Sequence, residues 1–352
     1  MPEVLMQETS PYGTRRASLL RGEGDVYLYL EDLTGPEAQT TSAVWVANFL
    51  PAPTHRESTE PGVPPRMGPG GTRHPEGCPD LGKNAGLVWF EEGDAVALVD
   101  GEGVVACIPG WAGRGEFYGY ARYARGRSDL AWELTKDARQ VLDHKATDSR
   151  EFWAWRRGQA WPEIRSVGLA HLEQRLGAQD AAWPLGEALF PELIATRHRL
   201  TLDNVWVTAT TGLSAQRMAG VEQYLDDPDG AARIELAIAR TVPDQVGADL
   251  LGALATIPFG RCTWLGEGHT IGGAPGAYPA FGPEKAALML TARPPSAPGL
   301  APPDLTGLSR RGAPVTYLWV LVIDEDTFRL ARGRDAKSAL THLAETGVSW
   351  IQ

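Results

Sequence analysis

Apolar and polar positions in this chain fall into stretches of two kinds, one suited to strands and one to helices. Residues 25–30 (DVYLYL) and 41–50 (TSAVWVANFL) are rich in Val, Tyr, Trp and Leu, which suit a pleated, half-buried surface, and both are predicted as strands. Between 51 and 83 proline and glycine recur too often for regular structure, which predicts a long surface loop. Three apolar runs at 87–90, 95–99 and 104–108 are separated by EEGD and DGEG, the pattern of an antiparallel meander. From Asp129 the period changes. Ala131, Leu134, Ala138, Val141 and Leu142 recur at three- and four-residue intervals, predicting an amphipathic helix capped by Asp129. A second helix is expected from Trp161-Pro162, with Leu169, Leu172 and Leu176 down one stripe and Gly177 as its stop. With residues 152–155, these helices are expected to bridge two halves.

Beyond the bridge, residues 202–210 and 232–239 read as strands, and 243–257 as a helix with Val246, Leu250, Leu254 and Ile257 along one face. A glycine-rich passage, a strand at 286–290, a proline-rich loop, a strand at 314–323 and helices near 326–332 and 335–345 complete the chain. Strands and helices interleaved in this irregular order predict an α+β fold. The expected parts are a β-rich domain over 1–128, a helical bridge over 129–199, and a mixed sheet packed with helices over 200–352.

Composition narrows the partners more than the fold. Of 352 residues, 33 are Lys or Arg and 44 Asp or Glu, giving a net charge of −11 that disfavours nucleic acid and anionic membranes as partners. The longest apolar run, 315–323, is too short to cross a bilayer, and the first residues lack a signal peptide's pattern. The three cysteines, Cys78, Cys107 and Cys262, form no paired framework, so a cytoplasmic setting is expected.

Candidate chemistry is sparse. His55, His74 and Cys78 share one loop but fall short of the four ligands of a structural zinc site, so no metal is expected. The glycine passages at 113–119 and 266–272 both read G-x-G-x-x-x-G, one residue too long for a dinucleotide fingerprint, and no cofactor is expected. Glu91, Glu92 and Asp94 sit in a predicted hairpin turn, where solvated carboxylates are the simplest reading. There is no G-x-S-x-G elbow, and no catalytic residue is assigned. Twelve tryptophans outnumber eight phenylalanines, and Trp111, Trp153, Trp155 and Trp264 lie in or near predicted loops; an indole serves either as an interface anchor or as a core residue, and one or two of these four are expected on a partner surface.

Five short signatures in order give residues 200–352 a resemblance. Gly212-Leu213-Ser214 follows a strand; an acidic loop (YLDDPDG, 224–230) precedes Ile234-Glu235-Leu236; a helix carries Leu250-Leu251 and Leu254-Ala255. Gly266-Glu267-Gly268-His269 forms a turn, and Pro314-Val315-Thr316-Tyr317-Leu318 leads to Asp324-Glu325. This set resembles the suppressor-of-fused family of bacterial type, with aliphatic residues where animal members carry aromatics in the Phe-Glu-Leu strand. The resemblance implies a protein-binding module rather than an enzyme. Its animal member holds a transcription factor and bacterial members occur near toxin and immunity genes, so an immunity or regulatory protein masking a toxin or other protein is expected. On this reading Tyr224, Asp226, Asp227 and Asp229 meet a basic segment of a protein partner. Trp264 and His269 are further contact candidates, although His269 is suited first to bonding nearby backbone and fixing the loop's path. The rival expectation is an enzyme of unrecognised type, with His269 and a carboxylate working in a cleft between the halves.

Overall fold

A computed structural model of the chain describes residues 2–54, 64–79, 81, 84–158, 160–185, 192–200, 204–333, 336–346 and 348–352. The chain is α+β and forms two compact units. The first comprises Met1–Gly158, Glu222–Tyr224 and Phe259–Cys262; the second comprises Gln159–Val221, Leu225–Pro258 and Thr263–Gln352.

In the first unit, β1 (Glu3–Thr9), β2 (Arg15–Arg21), β3 (Asp25–Asp32) and β4 (Gln39–Asn48) make an antiparallel meander in sequential order. A second sheet contains β5 (Gly86–Trp89), β6 (Val96–Asp100), β7 (Gly103–Ile108), β8 (Tyr120–Ala121) and β9 (Trp132–Glu133). The apolar runs of β6 and β7 are explained by burial on both faces. Val96, Leu98, Val105 and Ile108 join Leu19, Leu28 and Val46 in one core, whereas Ala97, Val99, Val104 and Cys107 join Leu142 and Ala146 of helix α1 (Lys136–Arg157) in another.

Two expectations fail here. The polar N-terminal stretch, for which no strand was predicted, forms β1 and β2; β1 exposes most of its residues and so lacks the expected alternation. The first helix begins at Lys136 instead of near Asp129, and its cap is Thr135, whose side chain accepts a hydrogen bond from the Ala138 amide. Backbone bonds explain the shift. The Trp45 amide donates to the Leu130 carbonyl and the Trp132 amide to that of Gly119, which holds 130–133 in extended structure.

The second unit is built on a seven-stranded sheet. Its strands are β10 (Gln179–Leu185), β11 (Leu193–Leu200), β12 (Val205–Thr211), β13 (Ile234–Arg240), β14 (Thr270–Gly272), β15 (Lys285–Thr291) and β18 (Thr316–Asp324); β16 (Ser309–Arg310) and β17 (Ala313–Pro314) form a separate small hairpin. The order is β10-β11-β12-β13-β18-β15-β14, antiparallel except for the parallel pair β13 and β18. Residues 179–185 and 193–200, expected within a helical bridge, are thus sheet strands. The predicted strand start at 202 lies outside the described residues.

Helix α2 (Ala160–Leu176) ends at Gly177 as predicted, with that glycine at φ +85°, and buries Leu172 and Leu176 against Val207, Ala237, Tyr317 and Trp319. Helix α3 (Val246–Ala255) buries Leu251, Leu254 and Ala255, while Leu250 is only half-buried; its buried face is turned about one residue from the predicted stripe. Gly247 explains the turn, since a Cβ there would lie 3.1 Å from Ile238 Cγ2. After the short α4 (Ile257–Gly260), α5 (Glu325–Gly333) and α6 (Ala336–Glu345) cover Met289, Leu321 and Ile323. Among the described residues no helix is long and apolar enough to cross a membrane.

Candidate binding surface

The signatures at 212–214 and 234–236 meet through one side chain. Glu235 on β13 is fully buried, and its carboxylate accepts four hydrogen bonds. Oε1 takes the amides of Gly212 (2.9 Å) and Ser214 (3.1 Å) and the Ser214 hydroxyl (2.6 Å), and Oε2 takes the Thr210 hydroxyl (2.6 Å). A buried carboxylate is tolerated only when its lone pairs are met, and here β12 and the turn after it supply every one of these donors. Gly212 stands at φ +121°, and a Cβ there would lie 2.6 Å from the Glu192 carbonyl oxygen and 3.0 Å from the Trp161 ring, so the turn needs glycine.

Other polar groups surround this lock. Buried Arg233 donates to the Ser214 carbonyl at 3.2 Å, and buried Arg310 to the Ile164 carbonyl at 2.6 Å. Tyr317 pairs with Glu235 in the parallel register and stacks on His171, with ring centroids 5.9 Å apart. Burial, followed by the nearby Glu235 charge, pushes the Tyr317 phenol well above its ordinary pKa, so it stays protonated.

The acidic loop is arranged differently. Asp226, Asp227 and Asp229 are exposed, and Asp229 pairs with Arg217 at 2.6 Å with two-thirds of its side chain still in solvent. Tyr224 is 60% exposed; the Arg114 guanidinium lies 4.9 Å from its ring centroid and donates to its hydroxyl at 2.8 Å. The predicted binding residues therefore divide into an exposed acidic tip and an arginine-backed tyrosine.

Trp264 and His269 form a separate pair. Their ring centroids are 4.3 Å apart, edge to face, and the imidazole bonds the Trp264 backbone. Burial lowers the His269 pKa against the opposing effect of that bond, which favours a neutral ring. Gly266 makes the arrangement possible, because a Cβ there would sit 2.3 Å from the indole. Glu267, the adjacent carboxylate, is held by the Thr291 hydroxyl and the Ala292 amide, each at 2.6 Å.

The turn carboxylates need correction. Glu92 and Asp94 are buried instead of solvated, and Lys145 pairs with Glu92 at 3.4 Å and with Glu222 at 3.4 Å. Burial alone would lower the Lys145 pKa, but Glu92, Glu222 and Asp94 outweigh it and raise the value. Cys107 is fully buried, which pushes its thiol up to about 12, and Cys78 is buried too. His74 rests edge-on against Tyr123, while His55 lies outside the described residues. Trp153 is buried within α1 and donates to the Trp89 carbonyl at 3.1 Å, so it is a core residue.

The lock and the turns around it lie within one recognised segment. Residues 193–352 match the family model of the suppressor of fused protein (SUFU). The match begins at β11, seven residues before the boundary expected at 200. No curated protein matches the chain. A solved structure described as a SUFU homolog from Neisseria gonorrhoeae FA 1090 is similar at 16% identity and a TM-score of 0.40, covering 54% of this chain and 94% of that one. Glu235 is one residue of the SUFU-like strand signature, and the structure gives it a role in holding the glycine turn. The signal was the pairing of two motifs, a glycine turn and a strand glutamate, that only the fold brings together.

Proposed function

We propose that the SUFU-matching segment is a non-enzymatic protein-binding module whose acidic loop meets a basic segment of a protein partner, in the manner of an immunity or regulatory protein that masks another protein. The observation that carries this reading is the exposed tip formed by Asp226, Asp227 and Asp229, two positions beyond an exposed tyrosine. Exposed rim charges accelerate encounter and fix register, and tyrosine supplies contact area at low entropic cost. The engagement of His269 with Trp264, and of Glu267 with Thr291, supports binding over acid–base catalysis.

The test is affinity capture from the native organism's lysate, followed by association kinetics of the purified partner with wild type and with the D226N/D227N/D229N variant. A slower association of the variant at low salt, with the gap closing at high salt, is expected. An unchanged rate assigns the loop to a solvated turn. Turnover of a small molecule that depends on His269 would replace the binding reading with an enzymatic one.

A further inference from the structure

The acidic tip follows three consecutive residues whose side chains are all held inside the first unit. Val221–Gln223 form a single 3-10 turn, and the Leu225 amide closes on the Val221 carbonyl at 3.2 Å. Glu222, Gln223 and Tyr224 belong to the first unit even though they lie within the SUFU-matching residues. Each has its own partner there. Glu222 pairs with Lys145 of α1 at 3.4 Å, and the Gln223 side-chain amide donates to the Gly110 carbonyl at 2.6 Å. Arg114 donates to the Tyr224 hydroxyl at 2.8 Å, with its guanidinium 4.9 Å from the ring centroid.

These partners are themselves fixed. Lys145 also pairs with Glu92, whose side chain is 7% exposed, and lies 5.0 Å from the centroid of the Phe90 ring. Gly110 stands just after β7, so close to buried Asp94 that a Cβ would lie 2.4 Å from its Oδ2. Around Arg114 the Gly113 amide donates to the Phe117 carbonyl at 2.7 Å and the Phe117 amide to the Arg114 carbonyl at 3.1 Å, which closes the loop. The glycine passage at 113–119, which carries no dinucleotide fingerprint, thus delivers a guanidinium to Tyr224. Arg114 also brings positive charge to a surface proposed to meet a basic segment, so it does not assist encounter. What it supplies is order. An exposed tyrosine loses rotamer freedom when a partner covers it, and a ring already held loses less.

We propose that Lys145, the Gly110 carbonyl and Arg114 are positioning groups for recognition, holding residues 222–224 so that Tyr224 stands pre-ordered as the aromatic contact for the protein partner. The role rests on the binding reading above and gives the first unit a share in it. Pre-ordering of a contact slows dissociation, whereas the charges of Asp226, Asp227 and Asp229 act on the association rate.

Hydrogen exchange at the Leu225 amide tests the hold in the free full-length chain. In E222A/Q223A/R114A it is expected to run about tenfold faster than in wild type, as local opening of the turn becomes easier. Melting should stay close to wild type, since Lys145 keeps Glu92. Wild-type exchange in that variant overturns the proposal. If the triple variant melts early, R114A alone decides, because Arg114 is exposed: faster exchange supports the hold and wild-type exchange overturns it. With the captured partner, R114A is expected to dissociate about threefold faster, the scale of an exposed cation–π contact, and to add nothing in a Y224A background. An equal effect in Y224A overturns the proposal, because Arg114 then acts other than through the tyrosine. So does wild-type dissociation of R114A when Y224A itself dissociates faster. Wild-type kinetics in Y224A would instead contradict the binding reading at Tyr224, with the exchange result unaffected.

Discussion

Two acidic regions of the SUFU-matching segment lie close in sequence and are treated in opposite ways. Glu235 is fully buried and spends its carboxylate on four donors from one strand and one glycine turn. Asp226, Asp227 and Asp229 stand in solvent, and among the described residues Asp229 forms a salt bridge with Arg217. The difference teaches where fold and function are written. The glutamate and glycine signatures report a structural lock, so their likeness to a family speaks for the fold, whereas the proposed recognition rests on charges that the fold leaves exposed.

The comparison breaks most sharply at the lock. Replacing Glu235 by alanine leaves two amides and the Ser214 hydroxyl buried without this acceptor, and the Thr210 hydroxyl with the Leu236 carbonyl at 3.5 Å, and should destabilise the protein by at least ~3 kcal/mol, read by chemical denaturation. A loss under 1 kcal/mol on that scale would mean the donors find other partners. Next comes the turn that supplies them. Gly212→Ala must place a Cβ 2.6 Å from the Glu192 carbonyl at φ +121°, and should cost ~1–3 kcal/mol. Denaturation of that variant at wild-type denaturant concentration would show the turn to be adaptable.

A pH effect sharpens the same contrast from the histidine side. His198 is fully buried, its Nδ1 2.7 Å from the Gly177 carbonyl and its Nε2 3.0 Å from the Thr196 hydroxyl. Burial lowers its pKa below the ordinary 6.5, against the Gly177 bond and the charges of Glu173 and Asp180. The unfolded chain therefore binds more protons than the folded one once pH drops below that value, so stability falls on acidification. Asp32, Asp100 and Asp324 have carboxyls held below 3.8, and what they contribute is lost only at still lower pH. Melting temperature should thus decline between about pH 7.5 and 5.5, and His198→Gln should flatten that decline. An equal decline in the variant would assign the effect elsewhere, with His269 titrating in the same direction.

Much of this architecture was legible in the sequence where burial is two-sided or helical. The runs of β6 and β7 stood out because both faces are apolar, and α2 because Pro162 and Gly177 bracket it. Illegible elements had physical reasons. Strand β1 exposes Glu3, Gln7, Glu8 and Thr9 at the edge of its sheet, and β11 carries Arg197, His198 and Arg199, polar residues that its neighbours satisfy. Asp129 resembled a helix cap, but the Ser128 hydroxyl bonds the Leu130 and Ala131 amides, which turns the chain before any helix can start. At the candidate site, the exposed aspartates could be read from Asp and Gly spacing. The buried pairing of Glu92 with Lys145 could not, because the two residues lie far apart along the chain.

The smallest expected effect carries the central claim. In the D226N/D227N/D229N variant, the bridge lost among the described residues is the largely exposed Asp229–Arg217 pair, so the melting temperature should match wild type, in line with ~0–1 kcal/mol for exposed pairs. The decisive measurement is the association rate of this variant with the captured partner at low and high salt. The account predicts slower association at low salt and convergence with wild type as screening shortens the Debye length from roughly 10 Å. Identical rates at low salt in a variant that melts with wild type would contradict it.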